Sequence, residues 1–132
     1  MDKGLIPRRY AKALYEVAAE RKTDKALYGL MQTLASTFAA TPALVTTVAN
    51  PFVATSDKES LITEAAGGED ARSNDTFRDF VKLLAQNRRL DMAWDIARAY
   101  VDIYRSAHKI YRVMIESAAP LTDKEKARLE AV

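Results

Sequence analysis

Cysteine is absent from the 132 residues, and with it go a disulfide framework, a zinc–thiolate site and a thiol nucleophile. Histidine occurs once, as His108, so a two-histidine metal cluster is excluded and any Ser–His–Asp constellation would have to use that residue. Near a helix end it reads as a solvated side chain. Glycine and proline number four each, too few turns for a many-stranded sandwich or barrel. Gly4, Gly29, Gly67 and Gly68 form neither a Walker-type loop nor a dinucleotide fingerprint, so no backbone phosphate cradle is expected. No pair of carboxylates stands isolated in apolar sequence, which leaves general acid–base catalysis without a candidate. The expectation is therefore a non-enzyme, with no catalytic, cofactor-binding or metal-ligating residue.

What is present suits a helical protein with a core. Apolar residues make up 48% and charged residues 29%, far from the low-hydrophobicity composition of disordered chains. The length allows one domain, or one with an appendage. A net charge of +2 is small for a dedicated nucleic-acid or membrane binder. Its distribution is uneven: residues 57–80 hold three basic and seven acidic groups, residues 82–112 seven basic and three acidic. Ala26 to Ser56 carries no charge, yet Gln32, several Ser and Thr residues and the break at Thr41-Pro42 argue against a membrane span and for a buried helix followed by turns. Met1-Asp2-Lys3-Gly4 opens no apolar or Arg/Ser-rich leader, so neither a secretory signal nor a transit peptide is expected.

Apolar spacing predicts six helices. Ile6, Tyr10, Ala13, Leu14, Val17 and Ala18 recur at three- and four-residue steps from Ile6 to Arg21, with Pro7 in the first turn. Leu27, Leu30, Met31, Leu34 and Phe38 form the second run, with Asp24 as N-cap. A short third helix follows Thr41-Pro42 and ends at Asn50-Pro51. Ser56-Asp57-Lys58-Glu59 has capping-box spacing and opens a fourth that stops at Gly67-Gly68. After a polar loop, Ser73 or Asn74 caps a fifth with Phe77, Phe80, Val81, Leu83 and Leu84, ending near Asn87-Arg88-Arg89. Asp91 caps a sixth, in which Ala93, Ile96, Ala97, Tyr100, Ile103, Tyr104 and Ala107 oppose Asp95, Arg98, Asp102 and Arg105.

Beyond Lys109 the β-branched and aromatic content rises, and Tyr111, Val113 and Ile115 alternate as in a strand. A lone strand cannot satisfy its own backbone. The fold expected is thus an all-α six-helix bundle over 1–107, followed over 108–132 by a linker, a strand and the opening helix of an incomplete α/β C-terminal domain. The alternative is that 109–117 extends the sixth helix or pairs with another copy.

Two helices carry more apolar surface than one core contact requires. At about 100° per residue the first helix shows an arc of roughly 200°, with Tyr15 and Ala19 extending it, and the fifth an arc of about 160°, widened by Phe80 and Leu83. Side by side, they would leave a groove for the apolar face of a partner helix. A helix with neighbours on two sides needs the same arc, so pattern alone leaves both readings open. The cations Lys82, Arg88, Arg89, Arg98, Arg105, Lys109 and Arg112 suggest an alternative, a helical nucleic-acid-binding module, but Asp91, Asp95 and Asp102 interleave with them as on a solvated face.

Four stretches in order resemble the delta subunit of F-type ATP synthases, the oligomycin sensitivity-conferring protein of mitochondria. They are Arg9-Tyr10-Ala11-Lys12-Ala13-Leu14; Asn50-Pro51 followed by Lys58 and Leu61-Ile62; Phe77-x-x-Phe80-x-x-Leu83-Leu84-x-x-Asn87-x-Arg89-Leu90; and Val113-x-Ile115-x-Ser117-Ala118-x-Pro120-Leu121-Thr122. The resemblance implies a non-catalytic stator subunit of the peripheral stalk, without cofactors. It implies a six-helix domain that binds the N-terminal helix of an alpha subunit between its first and fifth helices and joins the catalytic head to the b subunits. Tyr10, Ala13, Leu14, Tyr15 and Val17, with Phe80, Leu83, Leu84 and Asn87, are then the expected partner-binding residues. No nucleic-acid partner and no membrane insertion are implied, and the place of action is the cytoplasmic face of a bacterial membrane. Relative to that family the sequence stops within the first helix of the C-terminal part.

Overall fold

In a computed structural model the chain is described over residues 5–118, with side chains over 5–108. Seven helices follow one another: α1 (Leu5–Glu20), α2 (Asp24–Ala40), α3 (Pro42–Ala49), α4 (Thr55–Ala66), α5 (Glu69–Arg72), α6 (Asp75–Gln86) and α7 (Ala93–Ala118), the last preceded by a 3₁₀ turn at Leu90–Met92. The six predicted helices are all present, as α1 to α4, α6 and α7. The polar loop expected after Gly68 contains the single helical turn α5.

α7 is the axis of the bundle. Ala93, Ile96, Ala97, Tyr100, Val101 and Tyr104 form its buried stripe, at the three- and four-residue spacing that keeps side chains on one helical face. α1 and α2 both pack along it, and α4 closes over α2. α2 contributes Leu27, Leu30, Met31, Leu34 and Phe38; α6 contributes Phe77, Phe80, Val81 and Leu84. The uncharged stretch after Ala26 gives the core Leu27, Leu30, Met31, Leu34, Phe38, Leu44 and Val48, while Phe52 is 94% exposed; among the described residues no helix is long and apolar enough to cross a membrane.

The helix ends refine the expected caps. Asn74 accepts a hydrogen bond from the Phe77 amide at 2.9 Å, which fixes the start of α6. The anticipated capping box at Ser56 is not formed: α4 begins at Thr55 after Ala54, with no side-chain cap, so Ser56 lies within the first turn. α2 begins one residue before expectation, with Thr23 at the boundary. The Thr23 hydroxyl instead shares a 2.8 Å hydrogen bond with that of Thr76, tying the α1–α2 corner to α6. At the end of α4, Gly67 and Gly68 have φ of +133° and +64°, conformations that glycine adopts without steric cost, and their amides bond to the Glu64 and Thr63 carbonyls.

Over 110–116 the backbone is helical, correcting the expected strand in favour of an extended sixth helix. The physical reason lies in the same residues: Ile103, Ala107, Ile110, Tyr111 and Met114 also keep the three- and four-residue rhythm of the preceding turns. A helix satisfies its backbone locally, whereas a strand would need a partner. The expected opening of a second domain at 119–132 lies outside the described residues.

Candidate functional site

α1 and α6 lie alongside each other and run antiparallel. Near the start of α1, the Asn87 amide donates a 3.0 Å hydrogen bond to the Tyr10 hydroxyl. Near its end, the Arg21 guanidinium donates to Asp79 at 3.0 Å, beside the Thr23–Thr76 pair. Between these ties the helices leave an open channel of about 210 Å³, lined by Tyr10, Ala13, Leu14, Val17, Arg21, Thr76, Asp79, Phe80 and Leu83. Tyr10 and Arg21 are 11 residues apart, roughly 16 Å of helix, so the channel spans about three turns.

Its floor and walls have separate origins. Leu14 and Phe80 are buried, 8% and 4% exposed, and belong to the core that holds α1 and α6 in place. Val17 at 40% and Leu83 at 44% rank among the exposed large apolar side chains of the described residues, and they line the channel from α1 and α6 respectively. Ala13 keeps the α1 wall low, because a single methyl leaves the floor accessible. The result is an apolar trough with a polar group at each end.

Of the nine residues expected to meet a partner, Tyr10, Ala13, Leu14, Val17, Phe80 and Leu83 line this channel, and Asn87 closes one end through Tyr10. Leu84 is 0% exposed and sits in the core. Tyr15 is on the other flank of α1, where its ring packs 6.0 Å from Tyr100 and 6.3 Å from Tyr104. Its share of the wide apolar arc is thus spent on α7, so the two-neighbour account holds for that side and the open-groove account for the other. Arg21, Thr76 and Asp79 were missed because polar side chains do not register in a hydrophobic projection; their helical spacing, Arg21 at i+4 from Val17 and Asp79 and Thr76 at i−4 and i−7 from Leu83, was the available signal.

Tyr15, Tyr28, Tyr100, Tyr104 and His108 build an aromatic cluster. Tyr28 stacks on Tyr104 at 4.0 Å and Tyr104 on His108 at 3.8 Å. Tyr100 donates to the Asp24 carbonyl at 2.9 Å. Burial, and secondarily the Asp24 charge, raise the hydroxyl pKa values of Tyr15, Tyr100 and Tyr104 above the ordinary tyrosine value. His108, expected as a solvated residue, lies half-buried with Nε2 3.5 Å from an Asp24 carboxylate oxygen. The cations considered for nucleic acid are partly engaged on the protein's own surface: Arg98 pairs with Asp95 and lies 4.6 Å from the Trp94 ring centre. Arg105 donates to the Tyr28 hydroxyl at 2.8 Å, a bond that raises its pKa. Among the described residues no three His, Asp or Glu converge in a group that could hold a metal ion.

Fold and channel together define an all-α bundle with an open apolar trough about three helical turns long on one side. The family model described as ATP synthase delta (OSCP) subunit matches residues 6–132. The chain is 33% identical over 130 residues to ATP synthase subunit delta of Parabacteroides distasonis, an alignment covering 98% of this chain and 71% of that one. It is 33% identical over 131 residues to ATP synthase subunit delta of Bacteroides thetaiotaomicron (99% and 70% covered) and 28% identical over 132 residues to that of Anoxybacillus flavithermus (100% and 72%). The chain belongs to the ATP synthase delta (OSCP) family, whose members are structural subunits of the peripheral stalk of that membrane complex.

Proposed function

We propose that this chain receives the N-terminal helix of an alpha subunit in the channel between α1 and α6, and so ties the catalytic head to the b subunits of the stalk. The task is mechanical. Torque from a rotor does work on catalytic sites only if the head is kept from turning with it, and a tether for the head needs a stiff body and a surface that grips. A bundle packed around a 26-residue helix supplies the first. The second is supported by Val17 and Leu83 on the two walls over the Leu14–Phe80 floor: apolar side chains left exposed on either side of the channel, where the apolar face of an amphipathic helix would lie. Bound there, a partner helix would remove both from water and gain roughly 25 cal/mol per Å² of apolar area buried. The chain would act at the cytoplasmic face of a bacterial membrane as a peripheral part of the complex.

The test is calorimetric titration of the chain with a synthetic peptide carrying the N-terminal helix of an alpha subunit. One-to-one binding at micromolar protein is expected. Absence of heat, together with failure to displace a fluorescent version of the peptide, contradicts the reading.

A further inference from the structure

The two ends of the channel differ in charge. Ala13, Glu16, Val17 and Glu20 climb one flank of α1 at steps of three and four, and Asp75, Asp79 and Leu83 form an i+4 ridge on α6. All four acids are exposed. Arg78 pairs with Asp75 and Arg21 with Asp79, while among the described residues Glu16 and Glu20 form no ion pair. With the exposed Lys22 counted, that end holds four acids against three cations, a net charge of −1. The opposite end has the reverse character: residues 5–15 and 80–90 contain no acid, and Arg9, on the same flank of α1 as Ala13 and Glu16, is exposed near the Tyr10–Asn87 tie.

We infer that the channel takes its helix in one direction only, with a basic end of the occupant over Glu16, Glu20, Asp75 and Asp79 and a neutral or acidic end over Arg9. The inference rests on the proposed helix-binding role of the channel and adds polarity to it. The apolar trough is nearly the same read from either end, since Ala13, Val17 and Leu83 contact any Leu or Ile stripe alike. Direction must then come from charge, which orients more than it tightens. The occupant is accordingly an amphipathic helix of about three turns whose cations cluster at one end.

The test uses a synthetic amphipathic peptide with a leucine stripe, three lysines at one end and a nitroxide attached there, added to the isotopically labelled chain. Paramagnetic broadening of amide signals from 16–21 and 75–79, with those of Tyr10 and Asn87 spared, supports the inference. A Glu16→Lys/Glu20→Lys variant, altered only at exposed positions, is expected to weaken binding at low salt by about three- to tenfold, from two surface ion pairs, and to lose the bias in broadening. Broadening at the Tyr10 end, or equally at both ends, overturns the inference and leaves helix binding intact. No binding at all overturns both.

Discussion

The hydroxyl of Tyr10 on α1 accepts a hydrogen bond from the side-chain amide of Asn87, 77 positions along the chain, at 3.0 Å. The bond marks one end of the channel as the Arg21–Asp79 pair marks the other. Both ties are exposed, so neither alone contributes more than about 1 kcal/mol. The separation is held mainly by Leu14 and Phe80 beneath them.

Leu83→Asp should separate binding from folding. The side chain is 44% exposed, and surface substitutions away from special features usually stay within about 0.5 kcal/mol. Thermal unfolding followed by circular dichroism should shift little, while the dissociation constant for an alpha-subunit peptide rises at least about tenfold, the equivalent of about 1.4 kcal/mol. Unchanged affinity would remove Leu83 from the contact surface.

Leu84→Ala and Tyr15→Ala should behave in the opposite way. Leu84 is fully buried, and truncating such a leucine costs about 2–5 kcal/mol. Tyr15 loses its packing on Tyr100 and Tyr104, worth about 0.5–1.5 kcal/mol for an aromatic pair beyond the area buried. Denaturant titration should register both losses, and peptide affinity of the folded fraction should stay within about twofold.

Asn74→Ala removes the acceptor for the Phe77 amide at the start of α6. A loss of about 1 kcal/mol is expected, and Asn74→Ser or Asn74→Asp should restore most of it, since all three side chains cap well. A full loss with Ser or Asp would mean that Asn74 acts otherwise than as a cap.

Alkaline pH should destabilise the fold through the tyrosine cluster. The Tyr100 pKa is raised in the folded protein, chiefly by burial, above its ordinary value of about 10. Below pH 10 both folded and unfolded states hold the proton and the stabilisation is complete. Above it the unfolded state releases the proton first, so stability falls by up to about 1.4 kcal/mol per pH unit for this group. Tyr100→Phe should cost about 1 kcal/mol at neutral pH, from the lost bond to the Asp24 carbonyl, and flatten the decline between pH 10 and 12. Urea unfolding at a series of pH values measures both.

Helical periodicity made most of this architecture readable, because α1, α2, α6 and α7 each bury one stripe against a common core. It failed where two structures share one pattern. Ile110 to Glu116 alternates like a strand and also repeats at helical spacing, and the helix is the form that satisfies its backbone without a partner. Ser56-x-x-Glu59 has the spacing of a capping box, but spacing does not say where the helix begins, and Thr55 already lies inside α4. In the channel, Ala13 and Val17 read as part of the main apolar face of the first helix, whereas Leu83 was legible as an apolar position beyond the core stripe. Tyr15 looked the same in projection, because the sequence does not reveal that α7 lies on that side of α1. The polar ends at Arg21 and Asp79 depend on a contact between residues 58 positions apart, which no local pattern contains.

The most direct measurement is a two-dimensional NMR titration of the labelled chain with an alpha-subunit N-terminal peptide. The account predicts saturable shifts concentrated on the backbone of Ala13, Val17, Phe80 and Leu83, with the Tyr28–Tyr104 face unmoved. Shifts centred on that aromatic face, or a spectrum unchanged at millimolar peptide, would contradict it.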